Sequence, residues 1–449
     1  MGGSRRRLFA DAVHTRLWPI PAAAVTAALI AGILLPELDA VIDDTLPPTA
    51  ANLLFGGSAD AGREVLGVIA SSLITVTALT FSLTLVTLQL ASSQYTPRLL
   101  RTFAADRFVQ RTLALFLATF VYALTVLRTV RSDSGDDPAF VPRIAVTFAF
   151  VLTMLSVLAL VLFLAHLVRQ IRIETMLHHV HTDSVDVARR FLDPRRTGDG
   201  RDTRPPPPTP PHPLESAASG FLVSIDEQAL LRAATEAGVV IWMDRAVGDF
   251  LVAGTPIGDC HPAGRGDPLD PQSMDALREQ VTRSLGTGLE RTATQDIGYG
   301  LRQLVDVAIR ALSPGINDPT TAIHALSSCS SLLCELSGYQ LGPVTLDDDA
   351  GITRVRLQRP TWPELLDLVC SQPRRYGAQD PVVLGRLLSL LRDVAWRTED
   401  PHHTRAITDQ LGRLERTASE QNFDAAERGE LDTLAEHVRA ALEQHWTHK

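Results

Sequence analysis

Apolar and polar positions are unevenly divided along this chain. Up to about residue 170, apolar residues run together in four stretches, 18–38, 65–90, 108–127 and 144–168, separated by short polar segments. Each approaches the roughly 20 residues a helix needs to cross the hydrocarbon of a bilayer. Further on, the runs break up. Segment 169–192 places Ile173, Met176, Leu177, Val180, Val187 and Phe191 at helical spacing, which predicts an amphipathic helix continuing the fourth span. The proline run within 193–213 cannot continue a helix and reads as an extended linker. Segments 220–225, 238–243, 249–253 and 255–260 read as strands between Gly, Asp and Pro turns, with a short helix over 226–237 opened by Asp226. From 270 onward the chain is mainly helical, over 270–285, 296–312, 319–337, 362–371, 381–397, 402–420 and 424–446, and 352–358 alternates like a strand.

Charge orients the apolar third. Arg5, Arg6, Arg7 and Arg16 precede the first span, Arg98, Arg101, Arg107 and Arg111 lie between the second and third, and Arg169 and Arg172 follow the fourth. The loop after the first span is acidic instead, with Glu37, Asp39, Asp43, Asp44 and Asp60 against Arg63. Arginine stays on the cytoplasmic side, so both termini are expected there and the location is the inner membrane, multi-pass. The first stretch resembles a signal peptide, but its apolar core is long and it lacks a small-x-small cleavage pattern, so it reads as a retained helix.

Composition removes several functions. A net charge of -9 argues against a nucleic-acid partner. Of the 42 basic residues only Lys449 is lysine, so no internal lysine serves a phosphate loop, a Schiff base or a lipoyl or biotinyl attachment. Cys260, Cys329, Cys334 and Cys370 are too scattered for a disulfide framework or a paired CxxC zinc site and read as reduced, mostly buried thiols. His166 reads as an interfacial hydrogen-bonding residue, and His178, His179 and His181 as a solvated face. No metal and no cofactor is expected.

Two segments carry candidate chemistry. The second span is dense in hydroxyls. Ser71, Thr75, Ser82, Gln89 and Ser93 fall on one face at 100° per residue, and Thr77, Thr80, Thr84, Thr87 and Gln94 on roughly the opposite one. Either the helix packs on both sides through small residues, or one stripe lines a hydrated path between subunits. The second segment is Gln295–Ala322 by number 295–322, where two helices meet at SPGINDP. Ser313, Pro314 and Gly315 stop the first helix, and Asp318 with Pro319 starts the second. Asn317, Asp318, Thr320 and Thr321 gather at that helix N-terminus, with Arg302 and Gln303 on the preceding helix, as a candidate ligand site. The alternative is a well-capped helical hairpin.

The run VGDFLVAGTPI (247–257) resembles the hairpin of biotinyl/lipoyl-like barrel-sandwich domains, as turn chemistry without the modifiable lysine. Three stretches, 72–103, 220–231 with 247–257, and QDIGYGLRQLVDVAIRALSPGINDPTTAI from 295, together resemble the bacterial domain-of-unknown-function 2254 family of predicted membrane proteins. That resemblance implies four spans, an inner-membrane location and a soluble C-terminal region, and supplies no activity. The expected fold is therefore an α-helical membrane protein of about four transmembrane helices with a cytoplasmic α+β domain, containing a small barrel-sandwich-like β segment and a mainly helical C-terminal part. The expected division is 1–17 cytoplasmic N-terminus, 18–168 membrane domain, 169–192 helical extension, 193–213 linker, 214–268 β segment and 269–449 helical domain.

Three functions fit this pattern. The first is a homo-oligomeric channel or transport-like protein gated by its cytoplasmic domain. The second is a membrane-anchored ligand sensor or scaffold. A membrane enzyme ranks last, since Asp296, Asp306, Asp318 and His324 come without a nucleophile elbow, HExxH or phosphate loop. Orientation is checked directly: a fluorescent protein fused after Lys449 is expected to fluoresce, and periplasmic alkaline phosphatase fused there to stay inactive; the reverse pattern would invert the topology.

Overall fold

A computed structural model describes residues 18–42, 54–94, 106–131, 140–170, 173–195, 210–262 and 270–447. They belong to two compact units, Met1–Arg172 and Ile173–Lys449.

The first unit consists of α1 (Pro19–Ile42), α2 (Ala59–Gln94), α3 (Arg107–Leu127) and α4 (Arg143–Gln170). All four are long and apolar enough to cross a membrane. α3 packs against each of the others and is the most enclosed, with 56% of its span buried against 17% for α1 and α4. Leu66, Ile69 and Leu73 of α2 meet Phe116, Tyr122, Ala123 and Val126 of α3 and Val146 and Ala149 of α4. α1 crosses α3 closely at Gly32, where an added Cβ would lie 2.8 Å from Cβ of Thr125. α2 has 36 residues, so at about 1.5 Å per residue it is about 54 Å long, well beyond a hydrocarbon core of about 30 Å.

Polar groups tie these helices together at three levels. Asp39, 1% exposed near the end of α1, accepts the backbone N–H of Ile144 at 2.8 Å and of Ala145 at 3.1 Å. It therefore caps α4 from another helix, satisfying donors that a helix start leaves open. The buried Tyr122 hydroxyl donates to the Ala145 carbonyl at 3.0 Å. Midway, the Thr119 and Ser156 hydroxyls lie 3.3 Å apart. At the other end Asp106 accepts Phe108 N–H at 2.7 Å and sits 2.6 Å from His166 Nε2. His166 is thus hydrogen-bonded, as its position suggests.

The second unit begins with α5 (Ile173–Phe191). Its order continues β1 (His212–Glu215), β2 (Gly220–Ile225), α6 (Glu227–Glu236), β3 (Val239–Met243), β4 (Phe250–Leu251), β5 (Pro256–Pro262), α7 (Pro271–Ser284), β6 (Leu285–Gly288), α8 (Tyr299–Ala311) and α9 (Pro319–Leu336). β7 (Val344–Asp347), β8 (Thr353–Leu357), α10 (Trp362–Tyr376), α11 (Pro381–Trp396), α12 (Pro401–Ser419) and α13 (Ala425–Leu442) complete it. One sheet has the order β1-β5-β3-β8-β7 and a smaller one β4-β2-β6. All pairings are antiparallel except β3 with β8, which places Ile241 beside Val355. Leu214, Leu222, Ile241, Met243, Ile257 and Val355 share the core between these strands and α6 and α7. The glycine turns around β4 are real, since Gly248 and Gly254 have φ of 101° and 78°.

Four helices start with Asp at the cap and Pro next: α7 (Asp270), α9 (Asp318), α11 (Asp380) and α12 (Asp400). Thr361 and Asp424 form capping boxes for α10 and α13. Three short strands go beyond the sequence reading. β1 includes His212 and Pro213 and pairs with β5; β6 pairs with β2; β7 pairs with β8. α10 runs to Tyr376 through the buried Pro373, past the expected stop at 371, and α13 ends at Leu442. All four cysteines are free. Burial pushes the Cys260 and Cys334 thiols up to about 11 and that of Cys370 up to about 12, so none of these three supplies a thiolate at neutral pH.

Asp39→Ala is expected to remove the cross-helix cap and cost about 1–2 kcal/mol, read as a lower unfolding temperature in detergent. Asp39→Asn, which keeps an acceptor, should recover much of the loss.

Candidate functional site

The two faces of α2 have different surroundings. Thr80 is fully buried and Thr77, Thr84 and Thr87 are half-buried against the rest of the unit, whereas Ser71, Thr75, Ser82 and Gln89 are exposed. The Ser93 side chain lies outside the described residues. A single chain therefore packs α2 through the threonine face only. On both faces the hydroxyls turn back to the helix. Ser71 donates to the Val68 carbonyl at 3.1 Å and Thr75 to that of Ser71 at 3.0 Å. Thr77, Thr80, Thr84 and Thr87 do likewise over 2.6–2.8 Å. Ser82 and Gln89 make no hydrogen bond among the described residues.

The exposed face has a second regularity. Glu64, Val68, Ser71 and Thr75, then Ala78, Ser82, Leu85 and Gln89, follow one another at alternating steps of four and three residues, and all are exposed. A repeat averaging about 3.5 residues keeps one seam of a helix facing a partner helix. The hydroxyl pattern alone pointed to Ser71, Thr75, Ser82 and Gln89; the seam adds Glu64, Val68, Ala78 and Leu85, found by extending the same period across apolar and charged residues.

The SPGINDP turn is an exposed, self-bonded connection. Ile316 and Asn317 donate their N–H to the Ser313 carbonyl at 3.0 and 2.9 Å, and Asp318 donates to the Ala311 carbonyl at 2.8 Å. Asn317 has φ of 49°, a left-handed conformation that Asn tolerates. Asp318 accepts the Thr321 N–H at 3.1 Å, and hydrogen bonding by Thr321 holds its carboxyl below the usual range. Asn317 and Thr320 are exposed beside it. The turn thus brings together Asp318 and Thr321 with Asn317 and Thr320, but not Arg302 or Gln303. Those two lie near the start of α8, about 16 Å of helix rise from Ser313, with Gln303 buried and Arg302 half-buried.

The QDIGYG run, by contrast, is a joint. Gln295 accepts the Ile225 N–H at 2.7 Å and donates to the Ile225 carbonyl at 3.2 Å, like a strand partner for β2. Asp296 is 4% exposed, paired with Arg291 and capped by Gly298 N–H at 3.1 Å. Burial pushes its carboxyl upward against the pull of that guanidinium. The adjacent Gly248 leaves room for the pair, since a Cβ there would lie 2.3 Å from the Asp296 carboxylate. Further along, Gly300 admits α5, where Ser184 Oγ would stand 1.7 Å from an added Cβ. Arg359 closes the neighbouring corner, donating to Glu227 at 2.7 Å and to the Phe191 carbonyl at 3.0 Å. The cavity beneath measures about 30 Å³, the size of a water molecule. His181 contacts Ser331 at 3.1 Å and Glu335 at 3.6 Å, and His324 lies 3.9 Å from Glu174. No group of three or more metal-ligating side chains occurs among the described residues.

Comparison with known proteins gives matches over most of the chain. A family model described as a predicted membrane protein (DUF2254) matches residues 14–393. An uncharacterised protein of Mycobacterium tuberculosis and one of Mycobacterium bovis are each 35% identical to the chain over 426 residues, covering 95% of it and 80% of the relative. No solved structure matches.

The Asp318 cap has a pH signature. Its folded pKa is depressed, so its contribution is complete above the unfolded carboxylate pKa and is lost as pH falls through the folded value. Asp318→Ala is expected to cost about 1 kcal/mol at neutral pH, with the difference from wild type vanishing at acid pH in a thermal-unfolding series.

Proposed function

The chain belongs to the domain-of-unknown-function 2254 family of predicted membrane proteins, and from that premise we propose that it is a homo-oligomeric, channel-like protein of the inner membrane whose α2 helices line a hydrated path. The soluble unit then lies on the cytoplasmic side, as the arginine bias supports, where it is placed to gate. One observation carries the reading: the exposed seam of α2 from Glu64 to Gln89.

The argument is one of environment. Beside α2, the exposed faces of α1 and α4 are dominated by large apolar side chains such as Ile33, Leu34, Phe150, Val157 and Val161, which suit lipid. The exposed surface of α2 also carries large apolar side chains, among them Ile74, Leu79, Phe81 and Val86, but its seam places Ser71, Thr75, Ala78 and Ser82 in the middle of the span. Lipid gives Ser82 no hydrogen-bond partner, whereas a second α2 or water does. Small residues also allow helix backbones to approach closely. In a ring of such helices, hydroxyls would border the axis, with Val68 and Leu85 forming apolar constrictions at either end that resist wetting. The SPGINDP turn supports a sensor reading less well, because Asp318 is engaged as a cap and its neighbours are open to solvent.

Two measurements decide this. With Cys260, Cys329 and Cys370 buried and the half-buried Cys334 replaced by Ser, Ser82→Cys in native membranes is expected to cross-link copies of the chain, while Thr80→Cys on the inward face should not. Purified protein in liposomes is expected to pass small ions, and Ala78→Leu to reduce that flux about tenfold or more by filling the seam. Monomer with no cross-link and no flux would refute the proposal.

A further inference from the structure

We infer that the path lined by α2 selects small monovalent cations and that Glu64 sets this selectivity, an inference that rests on the pore-lining reading of α2. Glu64 is the ionisable member of the described seam, exposed and seven residues before Ser71. Among the described residues it has neither a hydrogen bond nor an ion pair. Its neighbour Arg63 is engaged elsewhere, donating to the Val130 carbonyl at 3.0 Å on the connection after α3. The other basic groups at this end, Arg128, Arg131 and Arg143, belong to the end of α3, to that connection and to the start of α4, not to the seam.

Helix electrostatics does not account for Glu64. Asp60 already occupies the first turn of α2, where the attraction of a helix N-terminus for negative charge is concentrated, and the effect fades beyond that turn. Near the end of so long a helix the carboxylate can stay hydrated and therefore ionised. In a ring of α2 helices these carboxylates converge on the mouth of the path. Rings of acidic side chains are one of the arrangements by which pores gather cations.

Just below the mouth the chemistry has the same sign, with the donors of Ser82 and Gln89 lying further along. Each hydroxyl has one hydrogen and two lone pairs. Ser71 and Thr75 spend theirs on the carbonyls of Val68 and Ser71, so what these two residues present away from the helix is acceptor oxygen alone. Oxygen acceptors substitute for the hydration shell of a hard cation and offer nothing to an anion.

The test uses the full chain in planar bilayers under an asymmetric KCl gradient. Wild type is expected to reverse on the potassium side. Glu64→Gln should lower the K⁺/Cl⁻ permeability ratio about tenfold, the scale on which a charged mouth concentrates counter-ions, and Glu64→Arg should move the reversal toward chloride. The Ser82→Cys cross-link, repeated in each variant, reports assembly. A wild-type reversal at zero or on the chloride side, or an unchanged ratio in a Glu64→Gln protein that still cross-links, would overturn the inference and leave the path standing. Cross-linked assemblies that conduct nothing would remove the path and this inference with it.

Discussion

Hydrocarbon offers no hydrogen-bond partner, and that constraint explains most of the first unit. A backbone in lipid must satisfy itself, so its helices are long and uninterrupted, and their polar side chains return their protons to the same helix or bond across to another. The threonines of α2 take the first course. Asp39 takes the second, closing the open N–H groups of α4 from the end of α1, and Asp106 does both, capping its own helix and meeting His166. Ser82 and Gln89 do neither among the described residues, and both are exposed.

Much of this was readable in the sequence. The four apolar helices follow from run length, and those of the second unit from periodicity and punctuation. The starts of α7, α9, α11 and α12 are written as Asp-Pro pairs, which also changes the meaning of SPGINDP: its Asp318 is one of four copies of the same capping device. Its polar character then needs no ligand to account for it. The separation of Arg302 from that turn was hidden because adjacency in a motif says nothing about distance along a helix axis.

What escaped the sequence depends on long-range pairing. The strand expected at 352–358 is β8, but its parallel partner β3 lies more than a hundred residues away, placing Val355 beside Ile241, and β6 and β7 exist because β2 and β8 offer them an edge. Such short strands carry little pattern of their own. Burial order within the membrane unit was equally hidden. α3 is the most enclosed of the four helices, though it is not the most apolar. In lipid, burial follows which helix needs polar partners, and α3 supplies Thr119, Tyr122 and the Asp106 cap.

The α2 seam is where these two lessons meet. Counting hydroxyls identifies polar positions but cannot choose between the Thr80 face and the Ser82 face, since both bond back to the helix. Packing chooses: Thr80 is buried by the chain's own helices, and the face opposite is left over. The leftover face holds a line of positions about 3.5 residues apart from Glu64 to Gln89, flanked by the large apolar Ile74, Leu79, Phe81 and Val86. A straight helix drifts about 20° per heptad from such a repeat, so over this length the line stays on one face. The proposed pairing of α2 helices rests on that mixed surface, in which small hydroxyl residues interrupt an otherwise lipid-like one.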